Sequence, residues 1–555
     1  MADRIFADYR NKIAVFLIIL LTALAYANSL QNSFVLDDAR VIINNDFIRS
    51  RSNLSAIFTR SHPDLFKDNP ADPSAGPPQT PCRLIATLSY SIDFYFWRLN
   101  PFGYHLTNLL LHIFNSVLLY YFASLITGDR KTGLFSALLF ALHPVNTEAV
   151  NAISFRSDLL AFLFFLSALN VYAVIDRHSG NKKDLFYAFA LLLFSLALFS
   201  KEMAVTLPFM IILYDLFFGF QQTPKSFFIK LKSRYPGFFG ILLFYIWIRF
   251  LVVRDLTVAP AAYPGGNFYT NILTMCGVVA AYLKLIFWPF NIHYILSGNP
   301  ALIPDSLFEP RFLFSLIIII SCLAIAVKTR KSSREASFSL FWFFITLIPV
   351  ANIYPLKNFM AVRYLYIPVA GFCFLIPVLL HKLHSGRFFG AAPDWLRNSG
   401  SAIPAVILSV CFVITAGTNR VWKDGVSFWS NVVKNYPDSS LAYKNLGLSL
   451  LKSGSADAAM AETKKSLELK PQDGEARRIL GQCYLFKEMP EEAIFEFNES
   501  LRLEGGSAGL FNDLGIAYAF IGNLEEAKRM WLKALEINPG HEKVKVNLEA
   551  IERLK

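Results

Sequence analysis

The chain has 555 residues, 54% of them hydrophobic and only 17% charged, with 53 phenylalanines. That balance excludes an ordinary soluble domain, and the apolar residues gather in runs of about 17–21, the length that crosses a bilayer as helix. The net charge of +12 sits in short loops between these runs, where cations set membrane topology; it does not indicate nucleic-acid binding.

The first run, 12–29, follows a charged start with no small-residue cleavage site behind it, and is read as a retained first helix. Directly after it stands Phe34-Val35-Leu36-Asp37-Asp38-Ala39-Arg40. Ionised acids are costly near hydrocarbon, so two adjacent carboxylates at a membrane surface point to binding or reaction. Asp37 and Asp38 are open to three readings at this stage: a general base, a metal-ligand pair or a solvated loop pair. Residues 83–98, RLIATLSYSIDFYFWR, suit an interfacial helix lying along the bilayer within an outer loop spanning 30–104.

Further runs are predicted near 105–125, 133–149, 157–175, 184–199, 203–220, 237–255, 311–328, 337–353, 364–381 and 402–418. A run at 272–290 is ambiguous, because it carries Lys284, Trp288 and Pro289. If it crosses, Lys328, Arg330, Lys331 and Arg334 fall on the cation-poor side. Charge therefore favours eleven spans, with the N-terminus inside and the tail outside. The outer face then carries Asp37 and Asp38, HPVNTEAV (143–150), SKEM (200–203), NIYPLKN (352–358) and the tail. Six cysteines form no CxxC motif, so neither zinc nor haem is indicated.

After about 420 the composition becomes soluble. Pro437, Pro471, Gly505 and Pro539 recur every 34 residues, as do Gly447, Gly481 and Gly515, and Ala459, Ala493 and Ala527. This period predicts a tetratricopeptide-repeat solenoid: a linker helix over 421–436, then repeats at 437–470, 471–504 and 505–538 and a capping helix. The 1–420 part is predicted to be a polytopic membrane domain, and the whole chain all-α. A repeat stack presents a concave surface for extended peptide, so chemistry is assigned to the membrane part.

There, His143, Glu148, Arg156 and Asp158 lie between two spans, Lys201-Glu202 follows another, and Arg249 and Arg363 sit near outer helix ends. A local ion pair accounts for Lys201-Glu202 equally well. Carboxylates with guanidinium and ammonium groups on one face can move a group off an anionic lipid carrier: cations bind the phosphate, and an acid takes the proton of the incoming nucleophile.

FVLDDARVIINN, YHLTNLLLHIFN (104–115), LLFALHPVNTEAVNAISFRSDLLA (138–161), LFSKEMAVTLP (198–208), RYLYIP (363–368) and VWKDGVSFW (421–429), followed by the repeats, resemble the transmembrane and tetratricopeptide-repeat-containing O-mannosyltransferases, members of the GT-C glycosyltransferase superfamily. The resemblance implies a GT-C-like helical bundle with Asp37 and Asp38 as the catalytic centre. It maps His143, Glu148, Arg156, Asp158, Lys201, Glu202 and Arg363 onto family segments, and the residue reading adds Arg249 as a phosphate-binding candidate. It further implies a polyprenyl-phosphate-sugar donor, a protein Ser/Thr acceptor at the repeat groove, inversion at the sugar, and action on the non-cytoplasmic face. Three repeats, and FRSD where the family more often has glycine-arginine-lysine-aspartate, point to a bacterial homologue in the inner membrane with periplasmic repeats; endoplasmic reticulum with lumenal repeats is the other placement. Two carboxylates alone do not show a divalent metal, and that point stays open here. The competing functional readings are a non-enzymatic scaffold displaying repeats to clients and a lipid or sugar-lipid transporter.

Overall fold

The computed structural model describes residues 2–49, 83–219, 224–249, 262–290, 292, 294, 303, 304, 306–356, 358–384 and 402–553. Much of the predicted outer loop between 50 and 82 lies outside the described residues, as does most of the segment preceding 306. Among the described residues the regular structure is helical. They divide into two units, one running to Ile43 and from Arg83 to Arg420, the other taking Asn44–Arg49 and Val421 onward.

The first unit contains α1 (Ala2–Tyr26), α2 (Leu84–Trp97), α3 (Pro101–Thr127), α4 (Arg130–Leu142), α5 (Arg156–Val174), α6 (Asn181–Leu198), α7 (Leu207–Tyr214), α8 (Pro224–Ser233), α9 (Tyr235–Trp247), α10 (Phe268–Phe287), α11 (Pro310–Lys328), α12 (Arg334–Leu347), α13 (Val369–His384) and α14 (Ala402–Thr418). Local chemistry sets many of the boundaries. Asn100 caps α3 by accepting from the Phe102 amide, Pro101 takes the first helical position, and Gly128 ends the helix at φ 69°. Asp129 then caps α4 through the Lys131 and Thr132 amides, so α3 and α4 form a tight antiparallel hairpin.

Among the described residues, seven helical segments have the length and hydropathy to cross a membrane, and two shorter apolar helices, Tyr235–Trp247 and Val369–Leu383, accompany them. A helix stands at the predicted 83–98, as α2: Ala86, Tyr90 and Asp93 are buried, while Ile92, Tyr95 and Phe96 are exposed. The basic helix α8 has no counterpart in the sequence reading.

Polar contacts mark two ends of this bundle. At one, Lys230 pairs with buried Asp215, Arg234 with Asp176, and Lys382 with the Ser332 carbonyl and Glu335. The opposite end gathers the loops around Asp38, Ser154, Lys201 and Arg363. Helix α9 leaves the first end at Arg234 and arrives at the second, where Tyr245 meets Phe199. Helix α11 finishes at the first end, its Ala326 carbonyl bonded to Ser337, and so begins at the second. Helix α10, between them in sequence, makes its polar contacts at the second end: Asn271 bonds Asn352, Tyr282 bonds Ala361, and the Ile286 carbonyl meets His143. Length and hydropathy would let α10 span, yet it begins and ends at the same end of the bundle.

The second unit holds α15 (Gly425–Asn435) and then the pairs α16 (Ser440–Lys452) and α17 (Ala456–Leu469), α18 (Gly474–Phe486) and α19 (Pro490–Glu504), α20 (Ala508–Phe520) and α21 (Leu524–Ile537), closed by α22 (Glu542–Glu552). Small residues recur because paired helices pack closely. A Cβ on Gly515 would lie 2.4 Å from Trp531 Nε1, whose indole is fixed by the Asn512 carbonyl. Gly515→Ala is expected to destabilise the repeats by about 1–3 kcal/mol, read from urea unfolding of the full chain followed by tryptophan fluorescence.

Candidate active site

The acid loop turns on Leu36, whose φ of 50° is left-handed. That conformation costs a residue with a side chain about 1–2 kcal/mol. The two aspartates it precedes differ sharply in setting: Asp37 is exposed and Asp38 is buried. Asp38 Oδ2 accepts from the Val35 amide at 3.0 Å, and Oδ1 accepts from the Ser154 amide at 2.7 Å. The buried acid thus ties the loop to the start of α5, and the exposed acid is presented to solvent.

Burial pushes the Asp38 carboxyl from 3.8 up to about 6, against the backbone donors of Val35 and Ser154, which pull it down. With the folded value above the unfolded one, its contribution to stability is full below the unfolded value and lost as pH rises through about 6. Unfolding midpoints followed between about pH 4 and 7 should therefore fall more in the wild type than in Asp38→Asn. Parallel curves would refute a raised carboxyl.

Around this loop the structure assembles most of the predicted residues. Lys201 Nζ contacts both oxygens of Asp158, at 2.7 and 2.6 Å, with both side chains buried. Burial pulls the Lys201 ammonium below the usual lysine range, and Asp158 offsets part of that. Arg363 donates through its side chain to Glu148 Oε1 at 2.7 Å and through its amide to Oε2 at 2.8 Å, and its guanidinium lies 4.0 Å from the centre of the Phe155 ring. Arg83 donates to Glu202 Oε1 at 3.2 Å, and Arg249 lies within electrostatic reach of Glu202. Four cations, Arg83, Lys201, Arg249 and Arg363, thus stand against three carboxylates, Glu148, Asp158 and Glu202.

Two predicted residues have other work. His143 Nδ1 accepts from the Val145 amide at 3.3 Å and Nε2 meets the Ile286 carbonyl at 3.1 Å, which assigns a neutral ring protonated at Nε2. Both nitrogens are committed to holding the α4 terminus and α10. Arg156 is fully buried: it pairs with Asp93 at 2.6 Å, bonds Asn108, Ser89 and the Tyr104 carbonyl, and lies 4.8 Å from the centre of the Tyr90 ring. It clamps α2 and α3 to α5 instead of offering itself to a phosphate. Its partner Asp93 was missed from sequence, although a lone carboxylate in an aromatic helix called for a buried cation. Arg83 enters the sequence reading only as the first residue of the 83–98 segment.

An asparagine junction fixes the chain just before the acid loop. Asn419 donates to the Ala25 carbonyl and to Asn28, each at 2.9 Å, and accepts from Asn151 at 2.8 Å; its carbonyl accepts from Asn32. The end of α1, the 143–151 segment and the chain just beyond α14 meet there.

A resident metal does not fit the acid pair. Asp37 is exposed, whereas Asp38 is buried with both oxygens taken by backbone amides, so the two carboxylates do not form one ligand pair. Among the described residues no group of three or more His, Cys, Asp or Glu is arranged for a metal ion.

A tetratricopeptide-repeat family model matches residues 508–541. A protein O-mannosyl-transferase of Caenorhabditis elegans is 26% identical over 469 residues, covering 82% of this chain and 62% of the relative. Protein O-mannosyl-transferase TMTC1 of Homo sapiens is 24% identical over 519 residues, covering 83% of this chain and 55% of the relative. TMTC3 of Homo sapiens is also 24% identical, over 84% of this chain and 52% of its own length. The chain thus spans a little over half the length of these relatives. The resemblance carried by the motifs therefore extends along most of the sequence: the chain is similar to the transmembrane and tetratricopeptide-repeat-containing O-mannosyltransferases.

Proposed function

We propose that the chain is an integral-membrane glycosyltransferase that moves a hexosyl group, mannose or another hexose, from a polyprenyl-phosphate donor to a Ser/Thr hydroxyl of a protein, on the non-cytoplasmic face. The observation that carries this reading is the exposed Asp37, held by the buried Asp38 at the bundle end that gathers Lys201, Arg363 and Arg249. Asp37 takes the proton of the acceptor hydroxyl as that oxygen bonds to the anomeric carbon. The bond from that carbon to the phosphate oxygen breaks, and its electron pair leaves on the lipid phosphate. Attack opposite the leaving group inverts the anomeric centre. The leaving group is already a phosphate, so no separate acid is needed, and the cations stabilise its charge. Lys201 and Arg363, each held in place by a buried carboxylate, give the site rigid, oriented N–H donors. The repeats bind the acceptor chain. The relatives' names support the transfer to protein; the donor class rests on the pairing of acid and cations at a membrane edge.

The test is transfer of radiolabelled hexose from a polyprenyl-phosphate donor to protein in membranes carrying the wild-type chain. Label in acid-precipitable protein, released by β-elimination, is the expected result. Donor movement across liposomes without covalent transfer would replace this reading with a transporter.

A further inference from the structure

Four ion pairs around the candidate site, among the described residues, are unequal. Lys201–Asp158 is exposed by 3% and 1%, Arg156–Asp93 by 0% and 6%, and Arg363–Glu148 by 14% and 2%. Arg83–Glu202 is exposed by 21% and 31%, the one pair of the four in which both partners reach solvent. The three enclosed pairs are expensive to break, because a partner left behind is a buried lone charge. The half-buried Arg83–Glu202 pair is the least enclosed of the four, so water can reach both partners when they separate. Its geometry is also the least committed. Arg83 gives Glu202 a single contact at 3.2 Å, and its Nε is buried without a hydrogen-bond partner. A guanidinium has donors enough for a bidentate contact, and a phosphate accepts two parallel N–H bonds where this carboxylate accepts one.

The neighbourhood supplies the reason for an anion to come. Arg83 lies in the field of Asp158, Tyr364 and Arg363 as well as Glu202, and Lys201 feels Arg83, Glu202 and Arg363. Glu202 is therefore the accessible negative charge facing Arg83, Lys201 and Arg249. A carboxylate cannot itself bind phosphate; it can occupy the cation that does.

We propose that Arg83 binds the phosphate of the lipid donor and that Glu202 is the competitor that phosphate displaces. This rests on the donor class proposed above. It recasts Glu202 from a substrate ligand to a placeholder, and adds a binding residue at the start of the interfacial helix, where a lipid-borne headgroup arrives. The exchange is an ion-pair swap, with no bond made or broken.

The experiment measures binding of farnesyl phosphate to the purified full-length chain in detergent, with farnesol as the uncharged control. Arg83→Ala is expected to weaken binding about tenfold, Arg83→Lys to recover part of it, and Glu202→Gln to tighten it several-fold. The opposite signs at two partners of one ion pair are what a merely structural pair would not give. Equal binding by Arg83→Ala and wild type, or weaker binding by Glu202→Gln, overturns the assignment. Equal losses by Arg83→Ala toward farnesyl phosphate and toward phosphatidylglycerol vesicles would assign Arg83 to bulk headgroups and also overturn it. If the wild-type chain binds farnesyl phosphate no better than farnesol, the donor class itself fails; if it binds and Arg83→Ala binds equally, only the role of Arg83 does.

Discussion

Asp37→Asn is expected to lower hexose transfer about 10²- to 10⁴-fold while leaving the thermal midpoint of the protein in place. The reason lies in the difference between two neighbouring aspartates. Asp37 is exposed, so its amide isostere keeps the local packing and removes only the proton acceptor. Asp38 is enclosed, and both its oxygens hold backbone amides of separate segments. An asparagine there keeps one acceptor and turns a second donor toward an amide. Asp38→Asn should therefore lose activity through a displaced loop, with a shifted unfolding profile, and its defect should be more sensitive to temperature. Initial rates with labelled donor, measured beside melting curves, separate the two. Full activity in both variants would remove the acid loop from the chemistry.

Arg156→Leu is expected to destabilise the membrane unit by about 3–5 kcal/mol, or to prevent its accumulation, because it strands the Asp93 carboxylate in the interior. The size follows from the number of groups that one guanidinium satisfies: Asp93, Asn108, Ser89 and the Tyr104 carbonyl, drawn from α2 and α3. Removing both charges should hurt less than removing one. Arg156→Leu combined with Asp93→Leu is expected to recover part of the stability, since the pair's own burial cost disappears with it. Thermal unfolding in detergent of the two single variants and the double variant completes the cycle. A double variant no better than Arg156→Leu would mean that Asn108 and Tyr104, not the carboxylate, set the penalty.

These two arginine and aspartate cases show where sequence reading is strong and where it stops. The repeats were legible because their packing recurs: Gly447, Gly481 and Gly515 occupy one register at which the paired helices approach. Helix α2 was legible as a helix because an apolar, aromatic run is bounded by Arg83 and Arg98. Most of the candidate residues chosen from sequence also lie at one end of the bundle. Their roles were not legible. Asp37 and Asp38 are adjacent and chemically identical, and a left-handed turn at Leu36 has no signature in a leucine. Arg156 and Arg83 are the same side chain. One is enclosed by Asp93 and Asn108, distant in sequence, and the other stands where a helix begins. The charge argument for α10 draws on the whole distribution of lysines and arginines, whereas length and hydropathy read only the helix itself.

The asparagine junction bears on protein engineering. Asn28, Asn32, Asn151 and Asn419 close over the root of the acid loop, and the last of them lies two residues before Val421, where the repeat unit resumes. A designer who splices foreign repeats onto this membrane domain after Arg420 keeps every one of those bonds. A splice a few residues earlier deletes Asn419, and with it the bonds that fix the chain just before Asp37 and Asp38, however well the new repeats fold.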